Sequence, residues 1–508
     1  MNIHYRPEHL SFDHLLPLLS AEAMRKADSR TVSELELSGL TLMETAGRAA
    51  ADVARNLLSD DGAHVTVFCG RGNNGGDGLV VARQLLLVGY SVRVILLADA
   101  DRLSEDAAVQ YRILARLADA FGPEVCRIER YTENLDVESI ATDLFVDALL
   151  GTGLNEPLRE PFAGVVRQIS AAPVPVLSID IPSGLHADTG RVLGTCIRAD
   201  VTVTMAAPKT GMLIGGGQAF CGEIVVAEIG IPPHLLQELA LEGGAFLTTD
   251  MAVEGSLPPR PLDAHKYSAG TVLVVGGAPG MTGAPAMAAQ AAARSGAGYV
   301  RIGCHEAVQS VLATKLTTVT STALPQDLEG GLDARNAADI LSGDLDKANS
   351  LVIGPGLGRA KGTIEFILDL LPRLDIPVVI DADALFALST RPGFLEEHGR
   401  PSWLLTPHLG EFVRLGGTTS DSILIDARRY AQKWNCTVLL KGNPSVVASP
   451  DGEILVGGAG SNALATAGTG DVLSGVCGAL LARGLPPLYA AASALHLCGA
   501  AADDFARH

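Results

Sequence analysis

Two long stretches of this chain alternate short β-branched runs with helix-length segments. That alternation restricts the fold more than any single motif does. From His64 to about Ile231 the runs are VTVFC, VRVILLA, DLFVDALLG, VPVLSIDIPSG, ADVTVTMAA and EIVVAEIGIP. From residue 262 onward they are TVLVVGG, YVRIGC, SLVIGPGLG, IPVVIDADAL, WLLTPHLGE, TVLLKG and SVVAS, closing on the helix-forming DVLSGVCGALLARGL and YAAASALHLCGAAA. Strand and helix periods that interchange in this way predict mostly parallel sheets covered by helices. Between them the pattern lapses into EGSLPPRPLDAHK, rich in proline and without sheet periodicity. The expected fold class is therefore α/β in two domains, 1–245 and 262–508, joined by a linker at 246–261. A chain of 508 residues has room for both. Ahead of the first strand, LTLMETAGRAAADVARNLL is predicted to bury Leu42, Ala46, Ala49, Val53 and Leu57.

The formal charge of −19 argues against nucleic-acid and anionic-membrane partners, because phosphates are repelled over most of such a surface. Local basic pockets can still bind a nucleotide. The eight cysteines show no C-x-x-C pair and no zinc-type Cys/His spacing. Most, including Cys69 and Cys477, sit in apolar runs, where a buried inert thiol is expected. The opening MNIHYRPEHLSFDHLL lacks the basic start and unbroken apolar core of a secretory signal. No apolar run requires a membrane helix, so a cytoplasmic location is expected.

GRGNNGGDG, residues 70–78, lies between a strand pattern and a helix pattern, and Gly70, Gly72 and Gly75 satisfy the dinucleotide fingerprint G-x-G-x-x-G. Asp99 ends the next strand where a ribose could be met. Yet Asp77 would repel a closely placed phosphate unless a cation intervened, and Asn73 and Asn74 add neutral oxygens suited to a monovalent cation or a sugar. A glycine turn with Asp77 as a plain helix cap is the simpler alternative. Asp147, before Gly151–Thr152–Gly153, and Asp180 with Ser183 stand at two further strand ends. In open parallel sheets these ends converge on ligands.

The second half carries GTGD, Gly468–Asp471, at the start of a helix. Glycine amides and a helix N-terminus make an anion hole beside a carboxylate, an arrangement suited to phosphoryl transfer with Asp471 taking a hydroxyl proton. GPGLG, Gly354–Gly358, and KGNPS, Lys441–Ser445, follow strand patterns, and Lys441 could meet a nucleotide phosphate. His408 is either a site residue or an ordinary helix-start histidine.

MRKAD, LMETAG, GRGNNGGDG, VDALLGTGL, IDIPSGLHADTG and APKTG, over roughly 20–245, resemble the NAD(P)H-hydrate epimerase domain, an isomerase. HKYSAGTVLVVGG, GMTGAPAMAA, SGAGYV, GPGLG, DADAL, TPHLGEFVRL, KGNPSVV and ATAGTGDVLSG, over about 262–505, resemble the ADP-dependent NAD(P)H-hydrate dehydratase, a lyase. The resemblance implies a Rossmann-like α/β/α sandwich followed by a ribokinase-like α/β domain. It implies that the first interconverts the R and S epimers of the hydrates NADHX and NADPHX, and that the second dehydrates the S form using ADP. In the first domain Asn73, Asn74, Gly75, Gly76 and Asp77, then Gly151, Thr152, Gly153, Leu154, Asn155, Glu156 and Pro157, would bind the hydrated nucleotide. Asp180 would be catalytic there, and Asn74, Asp147 and Ser183 would hold potassium. In the second domain Ala284, Gly356, His408 and Asp471 would face the hydrate, with Asp471 catalytic. Lys441, Gly442, Asn443, Pro444, Ser445 and Gly470 would bind the adenine nucleotide, whose phosphates carry magnesium. The assembly expected is a homo-oligomer.

Two departures from the family pattern stand out: HKYSAG in place of HKG, and Phe386 after DADAL where asparagine is common. The alternatives are a vitamin-precursor kinase fused to a non-catalytic nucleotide-binding module, a non-catalytic scaffold, and a dehydrogenase. The last lacks a second motif for a hydride acceptor.

Overall fold

A computed structural model describes residues 3–4, 14–58, 62–257, 259–260 and 262–508. The chain forms two compact units, one built from Pro17–Ala245 and the other from Phe246–His508.

In the first unit, α1 (Ala21–Leu35) and α2 (Gly39–Leu57) begin at Ser20 and Ser38, whose hydroxyls accept from Ala23 N–H and Thr41 N–H. There follow β1 (His64–Cys69), α3 (Asn73–Leu87), β2 (Ser91–Leu96), α4 (Glu105–Phe121), β3 (Cys126–Arg130), β4 (Leu144–Ala148), α5 (Phe162–Ala171), β5 (Val176–Ile179), β6 (Val201–Met205) and β7 (Glu223–Ala227). The sheet order is β7-β6-β5-β4-β1-β2-β3, with Ile3–His4 beside β7, and every pairing is parallel. β3 carries no strand signal in the sequence because CRIER is an edge strand, where charge keeps the open edge from pairing.

The buried face of α2 differs from the one predicted. Leu42 and Ala46 are buried, but the face continues through Met43, Gly47, Ala50, Ala51 and Ala54, leaving Ala49, Val53 and Leu57 half-buried. The reason is close approach to α3: a Cβ on Gly47 would lie 2.4 Å from Val80 Cβ. The small residues, not the largest apolar ones, set the rotation of this helix.

In the second unit the strands are β8 (Ala245–Leu247), β9 (Thr271–Val275), β10 (Tyr299–His305), β11 (Thr320–Leu324), β12 (Ser350–Ile353), β13 (Val378–Ile380), β14 (Trp403–Leu405), β15 (Thr437–Leu440), β16 (Val446–Ala448) and β17 (Ile454–Val456). They run in the order β11-β10-β9-β12-β13-β14-β15-β16-β17-β8. β16 is antiparallel to both neighbours, and the others pair in parallel. The helices that matter to the site are α6 (Gly283–Arg294), α7 (Asp383–Ser389), α8 (Leu409–Arg414) and α9 (Thr469–Ala482). The stretch read from the sequence as a linker, 246–261, contributes most of β8 and the helix Asp250–Ser256 to this unit. Its proline content hides a three-residue strand too short for any periodicity to show.

All eight cysteines are free thiols, and all but the half-buried Cys498 are buried. Among the described residues no helix is long and apolar enough to cross a membrane.

Candidate functional site

The order of the first sheet reverses between β1 and β4, so the loops leaving these two strands part and open a crevice. Gly70 lies flush on the backbone beyond β4: a Cβ there would sit 1.9 Å from Leu149 O, and one on Gly75 would sit 2.0 Å from Gly70 O. The glycines of the fingerprint therefore serve backbone packing. Gly72 is the N-cap of α3 and supplies no side-chain bond, so Asn73 and Asn74 form the first turn while Asp77 lies one turn further in. This placement rules out Asp77 as the cap.

A cavity of 1360 Å³ opens above the crevice. Asn73, Asn74, Asp77, Gly151, Thr152, Gly153, Leu154 and Asp180 line it. Gly75 and Gly76 are buried beneath it. Asn155, Glu156 and Pro157 do not line it, and Glu156 is exposed and paired with Arg159 at 2.8 Å.

The centre of the cavity holds an ion pair of which the sequence identifies only one half. Lys209 Nζ donates to Asp180 Oδ1, to Thr204 Oγ1 at 2.9 Å and to Met205 O at 3.2 Å, with 1 % of the lysine side chain exposed. Its flanks are pinned: Leu19 N–H donates to Pro208 O and Thr210 N–H donates to Leu19 O. Asp180 follows β5 with φ +67°, a conformation that costs about 1–3 kcal/mol and persists where surrounding structure enforces it. Its Oδ2 faces Gly151, where a Cβ would stand 3.3 Å away. Two further carboxyls face the pair. Burial lifts Asp77 well above the usual carboxylate range, with Asp180 and Asp28 adding to it. Asp28 is exposed toward the cavity, yet the surrounding walls push its carboxyl up to about 6, Lys209 opposing and Asp180 adding. Such clusters mark sites that move protons. MRKAD and APKTG contain Asp28 and Lys209, but nothing in the sequence separates this lysine from a surface one.

Asp147 is fully buried. Its oxygens accept from Ser183 Oγ at 2.6 Å, Ser183 N–H at 2.8 Å, Ser178 Oγ at 2.9 Å and Leu149 N–H at 3.2 Å. Burial raises its pKa and these bonds lower it. Asn74 has both amide atoms buried with no hydrogen-bond partner among the described residues. An unpartnered buried carbonyl oxygen is a cation's kind of ligand.

In the second unit the hub is Asp381, the first acid of DADAL, which is 2 % exposed. It accepts from Lys441 Nζ at 3.0 Å and from Ser474 Oγ at 2.5 Å. Ser474 lies one turn into α9, and Asp471 stands in that helix's first turn behind Gly468. Gly470 sits against the same lysine, since a Cβ there would lie 3.5 Å from Lys441 Nζ. Burial pushes the Asp471 carboxyl up to about 6; Asp381 adds to this, Lys441 opposes it and Asp383 adds a little. Lys441, Gly470 and Asp471 are thus brought together; Asp381 and Ser474 lie inside the motifs DADAL and ATAGTGDVLSG, but the resemblance gives them no role there.

Gly442 and Asn443 are exposed, Pro444 is buried, and Ser445 Oγ closes the loop on Gly442 N–H at 3.2 Å. His408 pairs across the backbone with Lys441, and Lys441 N–H donates to Pro407 O at 2.8 Å. Its Nδ1 accepts from Gly410 N–H at 3.0 Å and Glu411 N–H at 3.3 Å, capping α8, while 59 % of its side chain remains exposed. It is a helix-start histidine that keeps an exposed edge. Gly356 has φ +59°, and a Cβ there would lie 3.4 Å from Ala284 Cβ, so these two are neighbours.

Comparison with known proteins covers both units. The family described as YjeF-related protein N-terminus matches residues 39–211, and the family described as NAD(P)H-hydrate dehydratase matches residues 272–508. The chain is 47 % identical over 505 residues to the bifunctional NAD(P)H-hydrate repair enzyme Nnr of Salinibacter ruber, covering 96 % of this chain and 92 % of the relative. It is 40 % identical over 499 residues to the enzyme of the same name from Moorella thermoacetica, again covering 96 % and 92 %. A solved ADP/ATP-dependent NAD(P)H-hydrate dehydratase from Bacillus subtilis superposes with a TM-score of 0.43 at 29 % identity, over 51 % of this chain and 89 % of that one.

Proposed function

The chain belongs to the family of bifunctional NAD(P)H-hydrate repair enzymes, and from that premise we propose how each unit does its work. The first unit epimerises the hydrated cofactor, and the second dehydrates the S epimer. The observation that carries a two-site reading is that each unit has its own cluster at the strand ends in which an ion-paired lysine, 1 % exposed for Lys209 and 23 % exposed for Lys441, adjoins a carboxyl of raised pKa. These are Asp28 and Asp180 around Lys209, and Asp381 and Asp471 around Lys441.

C6 of the hydrate bears a hydroxyl next to the ring nitrogen, so nitrogen's lone pair can expel hydroxide and leave a planar cation. Water then returns to either face, which interconverts R and S. A proton must reach the departing oxygen and must leave the returning water. Asp180 handles that proton at Oδ2, the oxygen that faces the cavity, while Lys209 fixes Oδ1. The loop at Asn73–Asp77 and the turn at Gly151–Leu154 hold the nucleotide. Potassium fits here: Asn74 offers a buried oxygen without a partner, and Asp147 with Ser183 supplies buried negative charge and a hydroxyl. Bound there, the ion would offset carboxylate charge beside the substrate phosphates.

In the second unit Asp471 removes the proton of the C6 hydroxyl, which attacks the terminal phosphorus of ADP as the bond to AMP breaks. The C6–O bond then breaks with nitrogen's push, releasing phosphate. Loss of a C5 proton restores the dihydropyridine, giving NAD(P)H, AMP and phosphate. Lys441 and the amides of Gly468–Gly470 hold the phosphates. Gly356, Ala284 and the exposed edge of His408 face the hydrate. Among the described residues no three His, Cys, Asp or Glu side chains form a metal cage. Magnesium would be carried by the nucleotide phosphates, where it would neutralise charge on the moving phosphoryl group. Free thiols throughout accord with a cytoplasmic location.

The test is mixed-epimer hydrate with ADP, following NAD(P)H absorbance. The S epimer should be consumed in a fast phase and the R epimer in a slower one, above the spontaneous epimerisation rate. Asp180→Asn should abolish only the enhancement of the slow phase, whereas Asp471→Ala should abolish both phases. Full activity in either variant overturns the assignment for that unit.

A further inference from the structure

The first unit's cavity has a second charged cluster at the carboxyl end of β2. Asp99 lies three residues past that strand. Its Oδ1 accepts from Arg130 Nη1 at 2.7 Å, and its Oδ2 stands 3.9 Å from Arg102 Nε. Arg71, on the loop after β1, lines the same cavity, and its side chain makes no hydrogen bond or ion pair among the described residues. The two loops are tied together, since Ser104 N–H donates to Arg71 O at 2.8 Å and Ser104 Oγ donates to Asn73 Oδ1 at 2.7 Å. Asp106 lines the cavity as well. Three arginines, Arg71, Arg102 and Arg130, thus line one cavity with Asp99 in a chain whose formal charge is −19.

Its position fits a dinucleotide bound from end to end. β5, which leads into Asp180, and β2, which leads into Asp99, are three strand spacings apart in the sheet, roughly 14 Å. With the nicotinamide at Asp180 and Lys209, the adenosine ribose reaches the end of β2. An acid at that position accepts from a ribose 2′-hydroxyl when it is free to do so, and an arginine there accommodates a 2′-phosphate. Here the carboxylate of Asp99 is already engaged by Arg130 and approached by Arg102, while Arg71, Arg102 and Arg130 all line the cavity. Arginine's fork suits a phosphate dianion.

We propose that Arg71, Arg102 and Arg130, beside an Asp99 already engaged in ion pairs, form a subsite for the 2′-phosphate of the substrate, so that epimerisation favours the hydrate of NADPH over that of NADH. This rests on the epimerase reading of the cavity. The pyrophosphate of the same substrate is the other phosphate that could reach these arginines, and the two sources separate by experiment.

The experiment uses the full chain with saturating ADP and mixed epimers of each hydrate, and the KM is taken from the slow, R-epimer phase. Arg130→Gln and the more exposed Arg102→Gln should each raise KM for the NADPH hydrate roughly tenfold, the loss of one charge-assisted bond, and leave KM for the NADH hydrate unchanged. Asp99→Asn should not weaken the NADPH hydrate. Unchanged slow-phase kinetics with the NADH hydrate show that the first unit of each variant is folded, since the fast S-epimer phase belongs to the second unit. Equal rises for both hydrates would assign the arginines to the pyrophosphate and overturn the proposal. No rise for either, or a rise for the NADH hydrate alone in Asp99→Asn, also overturns it. A wild-type slow phase no faster than spontaneous epimerisation overturns the epimerase reading itself, and with it this subsite.

Discussion

Asp471 illustrates how much of a site's chemistry one residue's surroundings decide. Burial and the neighbouring charge of Asp381 lift its carboxyl to about 6 against the pull of Lys441. If Asp471 is the general base proposed above, it must be ionised, so kcat/KM for dehydration should fall about tenfold per pH unit below that value. The charge of Asp381 raises Asp471, so Asp381→Asn should move this acid limb to lower pH. A limb that stays in place or moves up would remove Asp381 from the account. GTGD makes Asp471 legible in the sequence, as strand-end IDIPSG does Asp180. Lys209 and Asp381 stand in APKTG and DADAL, but their roles are not legible, because a charged side chain is taken for a surface one until its partners are known. Lys209 is 1 % exposed only because Asp180, Thr204 and Met205 converge on its ammonium group.

Elements dock here through small residues, and glycine substitutions should divide by what a Cβ would meet. On α9, a Cβ at Gly475 would lie 2.1 Å from Ala288 O of α6. Gly475→Ala should therefore destabilise the second unit by about 1–3 kcal/mol, the cost of overpacking. Gly343, in the helix Ala334–Leu345, has nothing within 4 Å of a Cβ. Gly343→Ala should stabilise by about 0.5–1 kcal/mol through helix propensity. Urea midpoints measure both, and equal signs would refute the packing argument. The α2 face shows the same logic, since periodicity locates the helix but the approach of Gly47 to Val80 sets its rotation. Central strands are readable because burial on both faces leaves continuous apolar runs. β3 at an edge and the three-residue β8 lack that signature.

At the scale of the whole molecule, the two activities should respond separately to ions. Replacing potassium with a bulky organic cation should slow the R-epimer phase on the order of tenfold and leave the S-epimer phase unchanged, as expected for loss of an ion that orders one site. Equal loss in both phases, or in neither, would place the ion elsewhere. The sequence by itself determined that there are two α/β domains, where their strand-end loops fall, and which glycine and acid motifs those loops carry. It did so because those properties follow from local periodicity and from backbone conformations that few residues tolerate. Only the tertiary structure decided that Lys209 meets Asp180, that Asp381 couples Lys441 to Ser474, and that Arg130 from β3 reaches Asp99 past β2. Each of these joins residues far apart along the chain, and its energetics depend on desolvation, which exists only after the chain has folded around it.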